Sequence, residues 1–262
     1  MAITRRELIK SAAAVTAASV VPFGTGCGDD PNPFQMGVAS GDPLTDRVIL
    51  WTHLTRPEGA TGSMNVTYQV ATDAAMRHVV TSGTATTDDT KDYTVKVDAT
   101  GLSAGTTYYY RFKHGDHAST VGCTKTLPTG SVTHLRFAMA SCANFGFGYF
   151  HAYRDIAERA DLAAVLFLGD YIYEFEDGGA YPNENVAIRP WGTDKETITL
   201  SDYRTRYRLY RSDPDLQAAH AAHAWITTWD DHEVANDTWL NGAQNHTDAT
   251  EGSFAARKAA AS

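Results

Sequence analysis

Short apolar segments separated by turn residues fill the chain from about residue 34 to residue 130. They are rich in Val, Thr and Tyr and are parted by Gly, Asp and Pro: VILWTHL, MNVTYQVAT, DYTVKVDAT, TTYYYRFKHG and TVGCTKTL. In YTVKVDA, Tyr93, Val95 and Val97 alternate with Thr94 and Lys96, which places the first three on one face of a strand. About seven short strands in this stretch predict a β-sandwich.

The pattern changes after residue 131, where helical periodicity alternates with short apolar runs. YFHAYRDIAERA and TLSDYRTRYRLYR have helical spacing, and in the second Tyr203, Tyr207 and Tyr210 share one face. LRFAMASC, LAAVLFLGD and AWITTWDD are apolar runs of strand length. Strands that alternate with helices in this way predict an α/β layer over residues 131–262.

Polar side chains collect where the predicted strands end. They are Cys142 after the first strand, Asp170 and Tyr173 after the second, and Asp230, Asp231 and His232 after the third. Neighbouring parallel strands lie about 5 Å apart, so these side chains are expected to converge. Crowded carboxylates are tolerated when a cation neutralises them. The sequence therefore predicts a metal site at this edge of the sheet.

Each of these residues also has a purely structural interpretation. Asp170 is a residue type found in turns and at helix N-termini. Tyr173 fits ordinary packing, and His232 fits a surface position at the start of a helix. Cys142 fits a disulfide bond with Cys123, which an exported protein permits. The shared position of the residues at strand ends favours the metal site.

Two further clusters carry weaker signals. His220 and His223 are three residues apart on a predicted helix, a spacing that can hold a metal, but no third ligand is evident on that face. Four arginines belong to the tyrosine-bearing helix: Arg204, Arg206, Arg208 and Arg211. Such a run is most often a solvated or ion-paired face, so a phosphate contact by any one of them is the less favoured interpretation.

Residues 1–33 have the layout of an export signal and linker. Arg5 and Arg6 precede an apolar run that is too short to span a bilayer, and their context resembles a twin-arginine signal. We therefore expect the twin-arginine export machinery as a partner and a periplasmic, cell-surface or extracellular location. Cys27 is a candidate for a lipid anchor, although it follows Gly-Thr-Gly without the leucine usual in lipoprotein signals.

Composition narrows the possible partners. The chain has 262 residues, 43% of them hydrophobic, which is typical of a folded protein. Its formal net charge of −9 argues against nucleic acid or an anionic membrane as the main partner. A phosphorylated substrate stays compatible with this charge because bound cations reverse the local sign of a site.

Three segments resemble the PhoD-type alkaline phosphatases of the metallophosphoesterase superfamily. They are VASGDPLTDRVILWT, ASCANFGFGYFHAYRDIAERADLAAVLFLGDYIYE and TLSDYRTRYRLYRSDPDLQAAHAAHAWITTWDDHEVAND. The paired motifs GDYIYE and WDDHE are the most specific part of a resemblance that covers nearly all of residues 34–240. It implies a two-domain fold: a fibronectin type III-like β-sandwich over 34–130, followed by part of an α/β metallophosphoesterase layer over 131–262.

The resemblance also implies a metal-dependent hydrolase that cleaves phosphomonoesters and phosphodiesters at alkaline pH with iron(III) and calcium. Carried onto this chain, Cys142 and Tyr173 would bind iron as thiolate and phenolate. Asp170 would bridge metals, and Asp231 would bind a second metal. Thiolate and phenolate ligands suit iron(III), whereas carboxylates suit calcium.

Two more residues receive roles from the resemblance. His232 would contact the phosphoryl oxygens or protonate the leaving alkoxide. Asn236 would help to position the substrate. The sequence DDHE departs from the GNHE of the wider superfamily, since Asp231 stands where that motif has asparagine.

The resemblance stops short of a whole phosphatase domain. Related enzymes take further metal ligands from later strands, whereas this chain ends at EGSFAARKAAAS. We therefore expect an incomplete α/β layer, and an alternative function follows: a non-catalytic exported protein whose sandwich binds a ligand. The long segment EFEDGGAYPNENVAIRPWGTDKETIT is expected to border the substrate entrance, with Trp191 as a contact.

Overall fold

The structure is a computed structural model that describes residues 31–56, 59, 61–177 and 188–262. Residues 32–262 form one compact unit. The predicted export signal, with Arg5, Arg6 and Cys27, lies outside the described residues, as does much of the long segment before Trp191. No helix in the part of the chain that the structure describes is long and apolar enough to cross a bilayer.

Eleven strands and five α-helices lie in the described residues. The strands are β1 Val38–Gly41, β2 Arg47–His53, β3 Met64–Ala71, β4 Val79–Thr87, β5 Thr94–Thr100, β6 Thr107–His114, β7 His117–Ala118, β8 Gly122–Lys125, β9 Phe137–Ala140, β10 Ala164–Phe167 and β11 Ala224–Thr227. The helices are α1 His151–Ala157, α2 Leu200–Arg211, α3 Pro214–Ala222, α4 Asp248–Glu251 and α5 Phe254–Ala261.

The strands form two sheets. The smaller sheet is antiparallel, with the order β4-β3-β6-β7 and β8 paired to β6. The larger sheet has the order β5-β2-β1-β11-β10-β9. The two sheets share a core to which β1 and β2 contribute Val38 and Leu50, and β3 and β6 contribute Val66 and Phe112. The alternation along β5 is confirmed: Val95 is buried and Lys96 is exposed.

The larger sheet joins the two regions that the sequence separates. Strand β1 pairs antiparallel with β2 and parallel with β11, with Ser40 opposite Ala224. Strands β9, β10 and β11 are parallel to one another. Backbone hydrogen bonds therefore cross from the first predicted region to the second, and residues 32–262 form one compact unit.

The parallel part of the larger sheet is covered by helices on one face. Val165, Phe167 and Trp225 point toward α1, α2 and α3, where they pack against Tyr153 and Tyr210 in an aromatic core. On the opposite face, large apolar side chains are exposed: Phe137, Met139, Leu168 and Ile226. The three-stranded end of the sheet is therefore packed on one side only in the described structure.

Local signals explain where the helices over this sheet begin. At α2, the Thr199 hydroxyl accepts a hydrogen bond from the Asp202 amide, and the Asp202 carboxylate accepts one from the Thr199 amide. This reciprocal capping satisfies amides that have no partner within the helix. At α3, Asp213 caps the first turn and Pro214 occupies the first helical position, where its missing N–H costs nothing. These starts place the tyrosines of α2 over the parallel strands.

Candidate metal centre

Strained backbone turns lie at the ends of β9 and β10. Cys142 and Asp170 have φ angles of 55° and 56°, in the left-handed region that side-chain-bearing residues rarely adopt. The turns are tied together, since the Cys142 amide donates to the Gly169 carbonyl at 3.1 Å and the Ala143 amide donates to the Asp170 carbonyl at 2.9 Å. Strain of this kind persists where surrounding structure fixes it, often at functional sites.

Gly169 allows the end of β11 to approach the end of β10. It has a φ of 100°, and a Cβ atom placed on it would lie 2.5 Å from the Asp230 amide nitrogen. Only glycine fits both the backbone angle and the contact. The close approach brings the WDDHE loop against the GDYIYE loop, which is how two distant motifs come to share one site.

Three predicted site residues meet at this point. Ligand atoms of Asp170, Asp231 and His232 all lie within 4.8 Å of one another. The Tyr173 hydroxyl donates a hydrogen bond to Oδ2 of Asp170 at 3.2 Å. The other oxygen, Oδ1, is buried and has no hydrogen-bond partner among the described residues. A buried carboxylate oxygen without a protein partner is costly unless a cation or water binds it.

Cys142 lies beside this group, with its thiol within hydrogen-bonding reach of the Tyr173 hydroxyl. The cysteine is exposed, and both it and Cys123 are free thiols. The disulfide alternative is therefore wrong for this structure. The two cysteines lie in different parts of the fold. Cys123 is on β8 of the smaller sheet, opposite Tyr109 of β6, whereas Cys142 follows β9 of the larger sheet.

The electrostatics of the site favour a bound cation. Burial raises the pKa of Tyr173, and its contacts with Asp170 and Cys142 raise it further. Burial alone would lower the pKa of His232, but its hydrogen bond to Glu174 and the nearby carboxylates raise that pKa above its ordinary value. No lysine or arginine among the residues with assigned structure forms a salt bridge with Asp170 or Asp231. The donor set therefore fits metal binding.

Asn236 lies on the loop that follows His232. Its backbone amide donates to Oε1 of Glu174 at 2.6 Å, and its side-chain amide donates to Oε1 of Gln244 at 2.8 Å. The structure thus places Asn236 near the candidate centre and engages its side chain with a neighbouring loop. The predicted role in substrate positioning stays a prediction.

Two buried glutamates at the site were missed by the sequence analysis. Glu174, the last residue of GDYIYE, accepts from Nδ1 of His232 at 2.8 Å. Glu233 accepts hydrogen bonds from the backbone amides of Tyr171 at 2.5 Å and Asp230 at 2.9 Å. Both glutamates connect the loop after β10 to the loop after β11. Their place inside the two quoted motifs was the available signal.

The two histidines of α3 and its end have structural contacts. His220 is buried, stacks on Trp225 with ring centroids 3.9 Å apart, and its Nε2 lies 2.9 Å from the Tyr171 hydroxyl. Nε2 of His223 lies 2.9 Å from the Ile156 carbonyl. These contacts engage Nε2 of each histidine within the fold.

Trp191 and two arginines of α2 lie in different surroundings from those expected. Trp191 is only 2% exposed and packs against Phe145 and Tyr210, which contradicts its predicted place at a substrate entrance. Arg206 and Arg211 are buried, so the arginine run is not a uniformly solvated face. Aromatic packing against α2 accounts for the burial of Trp191.

The profile of the PhoD-like phosphatase family matches residues 137–262, and the profile of the N-terminal domain of PhoD-like phosphatases matches residues 25–128. The chain belongs to the PhoD-like phosphatase family. It is 44% identical over 242 residues to alkaline phosphatase D of Bacillus subtilis (strain 168), which covers 87% of this chain.

A solved structure from the same family shares the fold of this chain. A structure of PhoD is 40% identical, superimposes with a TM-score of 0.82, and covers 90% of this chain. The chain spans 40% of the Bacillus protein and 46% of the solved PhoD chain. The fn3 domain of human collagen α-1(XX) is 18% identical, covering 44% of this chain and 95% of its own, and its TM-score of 0.25 is too low to support a fold assignment.

Proposed function

We propose that this chain carries part of an exported, metal-dependent alkaline phosphatase or phosphodiesterase that hydrolyses phosphate esters. The main supporting observation is that ligand atoms of Asp170, Asp231 and His232 lie within 4.8 Å of one another. One carboxylate oxygen of Asp170 is also buried without a hydrogen-bond partner among the described residues. Family membership supports the reaction class. The relatives are longer than this chain, so activity of the chain by itself is part of the proposal.

We assign the metal ligands as follows. Cys142 and Tyr173 would hold iron(III), Asp170 would be shared between metals, and Asp231 would bind a second metal. The fit rests on donor chemistry, because thiolate and phenolate oxygen stabilise iron(III) and carboxylates stabilise calcium. When bound, such cations polarise the phosphate ester and offset the negative charge that develops during an in-line displacement.

The chain's own residues have two tasks in the proposed hydrolysis. Water adds to phosphorus through its oxygen and releases a proton to solvent, and the ester bond breaks to release an alkoxide that must gain a proton. His232 supplies that proton or holds a phosphoryl oxygen. Asn236 helps to orient the substrate from the adjacent loop.

The surroundings of the site belong to the same proposal. A fibronectin type III-like sandwich followed by an incomplete α/β layer would hold the centre at the carboxyl ends of β9, β10 and β11. A twin-arginine signal with Arg5 and Arg6 would export the protein to the periplasm, cell surface or medium, with a lipid anchor at Cys27 as an option. The non-catalytic binding alternative has no feature of the site in its favour, since a binding sandwich does not require the strained Asp170.

Metal content of the purified chain tests the proposal. Mass spectrometry should find iron and calcium in the native chain, and Cys142→Ser should lose iron. Cys123→Ser is the matched control, because it removes a thiol on β8 and should leave iron unchanged. Both variants replace a thiol with a hydroxyl, so their effects on folding are directly comparable.

The result that contradicts the metal assignment is equally definite. Equal iron in the native chain and in folded Cys142→Ser would remove this cysteine from the ligand set. Metal binding that leaves 4-nitrophenyl phosphate intact at alkaline pH would support the metal centre and reject independent hydrolysis by this chain.

A further inference from the structure

Glu174 is a buried acidic residue with no assigned role in the reaction. It is the last residue of GDYIYE, and its side chain is completely buried. Placing a carboxylate inside a protein is costly unless hydrogen bonds or a charged partner compensate it. Its contacts therefore indicate what the residue does.

The Glu174 carboxylate joins three separate parts of the chain. Oε2 lies 2.8 Å from Nδ1 of His232. Oε1 accepts from the Asn236 amide at 2.6 Å and from Nδ2 of Asn245 at 2.8 Å. Both carboxylate oxygens are thus committed to the loop after β11 and to the segment before α4.

We propose that Glu174 is the positioning residue for His232, holding the imidazole with its proton on Nδ1 and assigning the phosphate chemistry to Nε2. This inference rests on the proposed phosphate-ester hydrolysis. A carboxylate that accepts from one ring nitrogen fixes both the tautomer and the orientation of the ring. Glu174 does so without being a metal ligand or a proton donor to the substrate.

The neighbouring carboxylates have other contacts. Oδ2 of Asp170 accepts from the Tyr173 hydroxyl, and Oδ2 of Asp231 accepts from the Asp237 amide. The hydrogen bond at Nδ1 of His232 is made by Glu174. We therefore assign Asp170 and Asp231 to the candidate cation, and Glu174 to the orientation of the His232 ring.

Glu174 is itself held by a second layer of polar groups. Asn245 also donates to Glu196, and Nη2 of Arg257 lies 3.4 Å from Oε1 of Glu196. Arg257 is almost completely buried, and its Nη1 donates to Glu251 at 3.1 Å. Asn245 thus connects Glu174 to the ion pairs of α4 and α5, while the hydrogen bond to His232 is made by Glu174 itself.

The test compares Glu174→Gln with Glu196→Gln in the metal-free chain at alkaline pH. Nitrogen-15 NMR of the His232 ring should show a proton on Nδ1 in the native protein. In Glu174→Gln, the side-chain amide can donate to the ring, so the proton should move to Nε2. Glu196 contacts the same Asn245, and Glu196→Gln should keep the native tautomer because the contact between Glu174 and Nδ1 of His232 stays in place.

Kinetics on the metal-loaded proteins give the second readout. With 4-nitrophenyl phosphate, Glu174→Gln should lower kcat by about 10²–10⁴-fold with KM changed less than about threefold, as expected for a misplaced acid catalyst. Glu196→Gln should keep kcat within about threefold. A purely structural role for Glu174 would instead lower stability and leave the tautomer and kcat of the folded variant unchanged.

The two proposals fail in different ways. A native tautomer in folded Glu174→Gln overturns the positioning role, whatever the activity. Absence of hydrolysis by the native chain with iron and calcium rejects the proposed function for this chain, and the tautomer of metal-free protein still decides whether Glu174 sets the ring.

Discussion

Two aspartates of this protein share an uncommon backbone conformation in very different surroundings. Asp92, before β5, and Asp170, after β10, have φ angles of 51° and 56°. Nη1 of Arg208 lies 2.6 and 2.7 Å from the two oxygens of Asp92. Asp170 accepts only from the Tyr173 hydroxyl at one oxygen, and its other oxygen has no partner in the described structure.

The difference teaches how to separate a structural carboxylate from a functional one. At the antiparallel end of the larger sheet, Arg208 of α2 neutralises the turn, so Asp92 has a cationic partner within the protein. The parallel end leaves Asp170 buried beside Asp231 without a salt bridge to either in the residues that are described. A buried carboxylate in a strained turn, without a cationic partner among the described residues, indicates a site that a bound ligand completes.

The largest expected effects come from replacing these two aspartates, which should change the stability of the metal-free chain in opposite directions. Asparagine tolerates the left-handed region, so Asp170→Asn keeps the turn while removing the charge. We expect it to lose most bound metal and about 10³-fold of phosphatase activity, a barrier change of several kcal/mol. The metal-free variant should unfold at a higher temperature, because a buried uncompensated charge is gone.

Asp92→Asn is the matched control for that prediction. It should keep metal and activity, and it should lower stability by about 1 kcal/mol or less, since it breaks a partly exposed ion pair. Metal analysis, 4-nitrophenyl phosphate turnover and thermal unfolding of both variants check the comparison. Equal loss of metal in the two variants would mean that Asp170 has no special place in the site.

The next largest effect on stability should come from replacing a buried arginine of α2. Arg206 is buried and donates to the carbonyls of Tyr173 and Phe175 and to the Thr193 hydroxyl. Arg206→Met should destabilise the fold by about 2–4 kcal/mol, because these buried acceptors lose a charged donor. Urea unfolding of the metal-free chain measures this loss.

Arg208→Met provides the control on the same helix. It removes the partner of Asp92, which lies nearer to solvent, and should cost about 1 kcal/mol or less. Similar losses for the two arginine variants would show that burial of Arg206 adds nothing to its contribution.

A smaller contribution to stability, from Asp202 of α2, should depend on pH. Burial opposes ionisation of Asp202, but the Lys195 ammonium and hydrogen bonds from Thr199 and Ile198 outweigh it and lower its pKa to about 2. This folded-state pKa lies below the unfolded value, so the stabilisation is present above about pH 4 and is lost as pH falls through about 2.

Asp202→Asn should therefore cost about 1 kcal/mol at neutral pH, as expected for a lost helix cap. Its stability should also fall less steeply than that of the native chain between about pH 4 and pH 2. Urea midpoints at several pH values measure both effects. Parallel acid profiles for variant and native chain would contradict the assigned pKa.

The smallest effect should come from the uncovered face of the parallel strands. Met139 on β9 is 70% exposed, so Met139→Thr should change the unfolding free energy by less than about 0.5 kcal/mol. Val165 points to the helix-covered face and is fully buried, so Val165→Ala should cost about 2 kcal/mol. A large loss in Met139→Thr would show that this face is packed in solution.

Much of the local structure could be predicted because it depends on neighbours in sequence. Alternation along β5 and the tyrosine spacing of α2 follow from the periods of strand and helix. The convergence of Asp170, Asp231 and His232 also followed, since parallel strands deliver their ends to one edge. The long-range pairing of β1 with β11 did not, because a four-residue strand carries no mark of its partner.

Side-chain environments were the least predictable feature. Trp191 and Arg206 are polar or amphipathic residues in segments that resemble surface, yet both are buried by packing between the GDYIYE loop and α2. Glu174 follows Tyr173 in a recognised motif, but its role depends on His232 and Asn245, which are 58 and 71 residues away. Sequence spacing holds no information about such distances.

The sequence by itself determined the periodic elements, the acidic cluster at the strand ends and membership of a phosphatase family, because each is written in contiguous residues. Tertiary structure alone decided that the two regions share one sheet, that Asp92 has a salt bridge while Asp170 has none among the described residues, and that Glu174 contacts His232. The physical reason is that the cost of a buried charge depends on which groups the fold brings within hydrogen-bonding distance.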